Sequence, residues 1–401
     1  MTQAIKSHLS YCFHEKNAYS SKSMSSPKAP SRTIPTWQRL LLLIALLFLF
    51  LVAIKLMSGA IKMMGAGTVG DGGMLAGIQN PFAGLAVGIL ATVLVQSSST
   101  TTAVIVSTVG SGVLPLGLAV PMIMGANIGT TITNTIVSIG HVQRSEQFRR
   151  AFAAATVHDF FNILCVIVFL PLEISTGILS KGAVYLSAKL NSLGGVEYKS
   201  PLKVAVKACA KIVKSSLEAI GLQDTPLAIA VLLIGIGLTF FCLIHITRNM
   251  RHVIAGRLES TMNKALEQSS FVGIFVGIVI TVMVQSSSVT TSLLVPMCAA
   301  GILPLLNAFP IMLGANLGTT VTALLASMAV DNPAGLTIAL VHVIFNVAGI
   351  LLFYPFIPLR RIPIAMANML AGAALRNRLW VVVYVAVMFV ILPLLGWKVL
   401  G

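Results

Sequence analysis

The chain has 401 residues, of which 56% are hydrophobic and 9% charged, and its mean hydropathy is +0.93. A soluble domain carries roughly 25% charged residues, so lipid must be the solvent for much of this surface, and disorder is excluded over most of the length. The formal charge of +16 would suggest nucleic acid in a soluble protein. Here aromatics are few and no basic stretch interleaves with them, so the charge points to membrane orientation, anionic lipid or an anionic solute.

Residues 1–36 are polar and rich in Ser, Pro and Lys, which predicts a disordered cytoplasmic tail. The apolar run Leu40–Ile54 follows, between Arg39 and Lys55. A signal peptide is the rival reading, but the polar lead is long and no A-x-A site follows, so a first transmembrane helix at 37–58 is expected. Gly59–Asn80 is glycine-rich and loop-like. Two apolar blocks fill residues 82–140, and Phe148–Leu172 reads as a span. Residues 173–225 are Lys-rich, with apolar positions at helical spacing around Val204–Leu217; an extracytoplasmic connector with one or two amphipathic helices is expected. A linking span at Pro226–Thr247 precedes a polar cytoplasmic loop, 248–270. Apolar blocks then cover 271–300, 304–329 and 335–357. Arg360, Arg361, Arg376 and Arg378 mark a basic interfacial segment before a last span, Trp380–Leu400. The five cysteines show neither CxxC nor Cys/His zinc spacing, so no disulfide framework is expected.

Self-similarity is the strongest signal. Gln96-Ser97-Ser98-Ser99-Thr100-Thr101-Thr102 matches Gln285-Ser286-Ser287-Ser288-Val289-Thr290-Thr291, an offset of 285 − 96 = 189. The offset holds at Leu114-Pro115-Leu116 against Leu303-Pro304-Leu305, and at Gly125–Thr131 against Gly314–Thr320 (G-A-N-x-G-T-T). His158–Asn162 matches His342–Asn346 at an offset of 342 − 158 = 184, so the first copy carries a longer loop. Residues 80–172 and 271–357 are therefore two repeat units. If each QSSS block is a re-entrant hairpin, an odd number of spans separates the blocks and the second copy enters from the opposite face. The expected fold is an all-α polytopic membrane protein with two inverted structural repeats, each with a re-entrant QSSS hairpin and interrupted helices, an architecture of transporters.

Gln and three serines are costly within a Val/Ile/Leu block in lipid. The bland explanation is hydroxyls bonded to their own helix or gluing helices together. Their recurrence at matching positions favours broken backbone lining a site, with positive helix ends for an anion and oxygens for sodium. In G-A-N-x-G-T-T, two glycines around an Asn predict an unwound point in a span; close helix packing is the alternative. Asp159 is the one carboxylate inside the spans of the first copy, and Val343 stands opposite it in the second. An intramembrane acid is a functional candidate, although a salt bridge with His158 or a nearby Arg is the structural alternative. Asn162 and Asn346 lie one turn on, while His158 and His342 read as structural. An intramembrane hydrolase is disfavoured: G-x-S-x-G, H-E-x-x-H and the P-loop are all absent.

On these residues the chain resembles the type II sodium–phosphate cotransporter family. The paired QSSS motifs carry the resemblance, with Asn127-Ile-Gly-Thr, Phe148-Arg149-Arg150-Ala151-Phe152, Thr156-Val157-His158-Asp159 and Gly349–Pro355; it covers about residues 80–172 and 226–400. It implies sodium-driven uptake of inorganic phosphate, with sodium as co-substrate and no cofactor. It places Asp159 where electrogenic members carry an Asp, implying three sodium ions per divalent phosphate. The implied phosphate ligands are Ser97, Ser98, Ser99, Thr130, Ser286, Ser287, Ser288 and Thr319. The implied sodium ligands are Gln96, Asn127, Asp159, Asn162, Gln285, Ser288, Asn316 and Thr320. A further family Gln/Asp pair falls on His141 and Arg144 without a gap. With a two-residue shift it falls on Gln143 and Glu146, which keeps the i, i+3 spacing. The connector departs from the animal members: Cys209 is its one cysteine and it has no N-x-S/T site, so neither their loop disulfide nor glycosylation is expected there. No soluble regulatory domain is expected after residue 401. The implied setting is the bacterial inner membrane or plasma membrane with the N-terminus cytoplasmic. An anion channel and a sodium-coupled carrier for another oxyanion remain the alternatives, and the oligomeric state stays open.

Overall fold

The computed structural model describes residues 35–65, 80–193, 201–254 and 270–400. Most of the predicted tail, most of the 59–80 segment and most of the 248–270 loop lie outside the described residues. Contacts divide the chain into a short unit, Met1–Leu40, and a large one, Leu41–Gly401. Of the short unit, the described residues are Pro35 and the opening of helix α1, Thr36–Gly65. That helix runs through Gly59, where a loop was expected, because Ile61, Met63 and Met64 continue its apolar run.

Among the described residues of the large unit the regular elements are all helices, joined by turns. The first copy comprises α2 (Pro81–Val95), α3 (Ser98–Gly110), α4 (Leu116–Gly129), α5 (Ile132–Ile139) and α6 (Ser145–Thr176). Next come α7 (Ile178–Leu193), α8 (Pro201–Ala219) and α9 (Asp224–Ile254). The second copy comprises α10 (Ser270–Val284), α11 (Ser287–Ala299), α12 (Leu305–Ser327) and α13 (Pro333–Phe353). It is followed by α14 (Ile357–Arg376) and α15 (Leu379–Ala386), then a π turn (Val387–Ile391) and α16 (Leu392–Leu400). Seven stretches are long and apolar enough to cross a bilayer: Thr36–Met64, Leu116–Ile139, Ser145–Thr176, Asp224–Met250, Leu305–Ser327, Pro333–Phe353 and Leu379–Lys398. This is a multi-pass membrane protein.

Local chemistry sets the helix ends. Asn80 and Asn332 cap α2 and α13 by accepting from the N–H groups of Phe82 and Ala334, each with Pro at the first helical position. Gly177 closes α6 in the left-handed conformation, φ 64°. The connector holds two helices, and α8 is amphipathic as expected: it buries Val206 and Ala210 and exposes Lys203, Lys207 and Lys211. The π turn precedes Pro393, which has no N–H for Phe389 and whose ring would meet that carbonyl; the Leu392 N–H bonds Val387 O instead.

The glycines of G-A-N-x-G-T-T do not unwind their helices. Gly125 lies inside α4 and Gly314 inside α12, each against the backbone of a neighbouring helix. A Cβ on Gly125 would stand 2.1 Å from Leu85 O, and one on Gly314 2.0 Å from Ile274 O. Gly88 and Gly277 face them from α2 and α10 with the same tightness, 2.1 Å from Met122 O and Ile311 O. The alternative reading, close helix packing, therefore holds in both copies. The first copy breaks just beyond, at Thr130–Thr131, whereas α12 runs unbroken through Thr319–Thr320.

Candidate functional site

Each QSSS motif sits at a helix break. Gln96 and Gln285 take the left-handed region, φ 55° in both, a conformation that costs a residue with a Cβ about 1–2 kcal/mol. Their side chains offset it in the same way. Gln96 Nε2 donates to Val93 O at 2.6 Å and Gln285 Nε2 to Val282 O at 2.7 Å. Gln96 Oε1 accepts from Thr133 at 3.1 Å and Gln285 Oε1 from Thr322 at 2.9 Å. Ser97 then caps α3 by accepting from the Thr100 N–H, and Ser286 caps α11 by accepting from the Val289 N–H. The two breaks meet: Ser99 Oγ donates to Gln285 O at 3.2 Å. Both open on one cavity of about 370 Å³, lined by Gln96, Ser97, Thr100, Gln285, Ser286 and Arg248 among others. Two helix N-termini and a basic residue, Arg248, at one cavity make an anion-attracting surface.

Beside the breaks lies a buried amide knot joining the copies. Asn127 Nδ2 donates to Asn346 Oδ1 at 3.2 Å, and Asn316 Nδ2 donates to Asn162 Oδ1 at 2.8 Å. The pairing is reciprocal: the α4 Asn of the first copy meets the α13 Asn of the second, and the α12 Asn of the second meets the α6 Asn of the first. His342 Nε2 bonds Asn127 Oδ1 at 2.9 Å, and Asn162 Nδ2 donates to Asn127 O at 2.9 Å. All five side chains are buried.

Asp159 stands outside this symmetry and is fully buried. Oδ2 accepts from the Tyr384 hydroxyl at 2.6 Å, while Oδ1 has no hydrogen-bond partner. Thr131 lies beside the carboxylate, so the acid faces the α4–α5 break, where α5 begins. The salt bridge weighed for Asp159 is not formed.

Comparison with known proteins names the family. The Na+/Pi-cotransporter family model matches residues 49–184 and 238–375. The chain belongs to the Na+/Pi-cotransporter family. It is 35% identical over 433 residues to sodium-dependent phosphate transport protein 2A of Rattus norvegicus, covering 89% of this chain and 68% of the relative. It is 33% identical over 457 residues to protein 2B of Homo sapiens, covering 90% and 66%. Protein 2A of Oryctolagus cuniculus is 34% identical over 448 residues, covering 92% and 69%. No solved structure matches the chain significantly.

Within this family member the residues singled out from sequence fall into separate groups. Gln96, Ser97, Gln285 and Ser286 line the cavity. Ser98, Ser99 and Ser287 are buried in the first turns behind it, and Ser288 is half-buried. Asn127, Asn162 and Asn316 bond within the knot, Asn127 to Asn346 and His342 and Asn316 to Asn162. Thr130, Thr319 and Thr320 donate to their own helix, to Ala126 O, Ala315 O and Leu317 O, the bland arrangement for a helical Thr. Gln143 and Glu146 stand apart: both are exposed, and Glu146 pairs with Arg149 at 3.2 Å. Glu146 lies 159 − 146 = 13 residues from Asp159 on α6, about 20 Å along the axis, too far to share one ion with it. Sequence reasoning missed Thr133 and Thr322, although 322 − 133 gives the repeat offset of 189. It also missed Arg248 and Tyr384, which lie outside both repeats and carry no motif.

Proposed function

We propose that this protein is an electrogenic symporter that couples sodium influx to uptake of inorganic phosphate across the bacterial inner membrane or plasma membrane, with its N-terminus cytoplasmic. The observation that carries this is the single cavity onto which both QSSS breaks open. Phosphate accepts hydrogen bonds, so its ligands must donate. The first-turn N–H groups of α3 and α11 that the serine caps leave free, the Ser97 and Ser286 hydroxyls and Arg248 are donors at or beside that cavity. Sodium needs lone pairs. Thr130, Thr319 and Thr320 give their protons to helix carbonyls and keep lone pairs for a cation, so in this proposal Thr130 and Thr319 move from phosphate to sodium. Asp159 supplies the carboxylate of a sodium site present in one copy alone. The reciprocal Asn pairs are the pattern a two-fold axis produces and support inverted repeats with re-entrant QSSS hairpins, which would rock about the knot to expose the cavity alternately.

Phosphate-evoked current in proteoliposomes tests the proposal, with sodium and then choline, for the wild type and Asp159→Gly. Inward current that needs sodium is expected, with the variant losing the current and keeping sodium-dependent phosphate uptake. Uptake indifferent to sodium would overturn symport. Sodium-dependent uptake without wild-type current would overturn electrogenicity and the role of Asp159.

A further inference from the structure

We infer that Tyr384, on the last span and outside both repeats, is a positioning residue for the ion site at Asp159, and that the cation sits on the Oδ1 side of that carboxylate. The inference rests on the proposed role of Asp159. The Tyr384 hydroxyl donates to Oδ2 at 2.6 Å. A phenol can give one proton, so it fixes one carboxylate oxygen and leaves the other. That other oxygen, Oδ1, is buried and accepts no hydrogen bond, because the Thr131 hydroxyl beside the carboxylate gives its proton to Ile128 O at 2.9 Å, although a buried carboxylate oxygen ordinarily finds a donor. A cation is the ligand such an atom suits.

Packing holds the phenol in place. Its ring meets Phe152 and Phe389 edge-on, with centroids at 6.3 and 6.0 Å, and Phe160 lies at 6.1 Å. Phe152 and Phe160 flank Asp159 on α6, and Phe389 sits in the π turn. The wide turn thus lies within one helical repeat of the hydroxyl, and its buried Phe389 locks the ring. The arrangement has no counterpart in the second copy, where Val343 replaces the acid and α12 passes unbroken. The break at Thr130–Thr131 and the carboxylate occur together in the first copy alone, and the tyrosine of the last span meets them there.

The test is a double-mutant cycle of Tyr384→Phe and Asp159→Asn. One readout is sodium activation of phosphate uptake in proteoliposomes. The second is protection of the purified protein against thermal unfolding by sodium without phosphate, which does not depend on turnover. Tyr384→Phe keeps the ring and removes the donor. It should raise half-saturating sodium in both assays by roughly tenfold, the scale of one hydrogen bond to a charged group. The phosphate KM at saturating sodium should stay within about twofold. In the Asp159→Asn background, Tyr384→Phe should add no further shift. Equal shifts in both backgrounds would mean a merely structural hydroxyl and overturn the inference. A shift from Asp159→Asn with none from Tyr384→Phe would overturn the role of Tyr384 alone. No sodium effect from Asp159→Asn would overturn the underlying reading of the acid.

Discussion

Gly314→Ala asks whether the G-A-N-x-G-T-T glycines serve packing or an unwound site. The added Cβ would lie 2.0 Å from Ile274 O and 3.0 Å from Gly277 Cα. A carbon–oxygen contact relaxes near 3.3 Å, so α10 and α12 must part by about 1.3 Å. Both obstructing atoms are backbone, and no rotamer change can absorb the move. Overpacking of this kind costs about 1–3 kcal/mol, and separation along the crossing forfeits a quarter to a half of each dispersion contact there. A loss of about 3 kcal/mol is expected. Gly237→Ala is the control: nothing lies within 4 Å of that Cβ, so it should gain up to about 1 kcal/mol from helix propensity. Thermal unfolding midpoints in detergent should fall in the order Gly237→Ala, wild type, Gly314→Ala. A Gly314→Ala protein as stable as wild type would refute the packing argument and restore the unwound reading.

Asn127→Leu should destabilise strongly, because it strips His342 Nε2 and Asn346 Oδ1 of partners at about 1–3 kcal/mol for each orphaned group; Gln143→Ala, on an exposed turn, should stay within about 0.5 kcal/mol by the same unfolding assay. Ser97→Ala and Ser286→Ala each remove a cap worth about 1 kcal/mol and a hydroxyl at the cavity, so the phosphate KM should rise in both; Ser286→Asn should restore the cap and the unfolding midpoint without restoring KM. Lys55 bonds Asp331 at 2.5 Å and holds its carboxyl below the usual carboxylate range. The pair's contribution is therefore present above the ordinary Asp value of about 4 and disappears as pH falls through the depressed one. Because Asp331 is largely exposed, it amounts to less than about 1 kcal/mol. Asp331→Asn should abolish that part of the acid dependence in unfolding midpoints recorded against pH.

The sequence by itself determined the class, the duplication and the broken helices. Apolar runs of membrane length leave lipid as the solvent, and two copies of one motif cannot arise from local propensity. Gln-Ser-Ser-Ser announces its own break, because a residue with a polar side chain can fold back on the helix end and the Ser after it can cap the next one. What the glycines do was not legible. A helical Gly permits both unwinding and close approach, and the neighbour across the crossing, Leu85 or Ile274, decides between them. The fate of the polar residues was equally hidden. Asn127 and Asn316 read as ligands in the sequence, and only the fold shows that their amides also join Asn346 and Asn162 across the copies and that Glu146, at the start of α6, stands at the surface. Tyr384 is the extreme case. It lies 384 − 159 = 225 residues from Asp159, and its hydroxyl gains meaning only where the last span packs against α6, because a hydrogen bond depends on distance and angle and not on order along the chain.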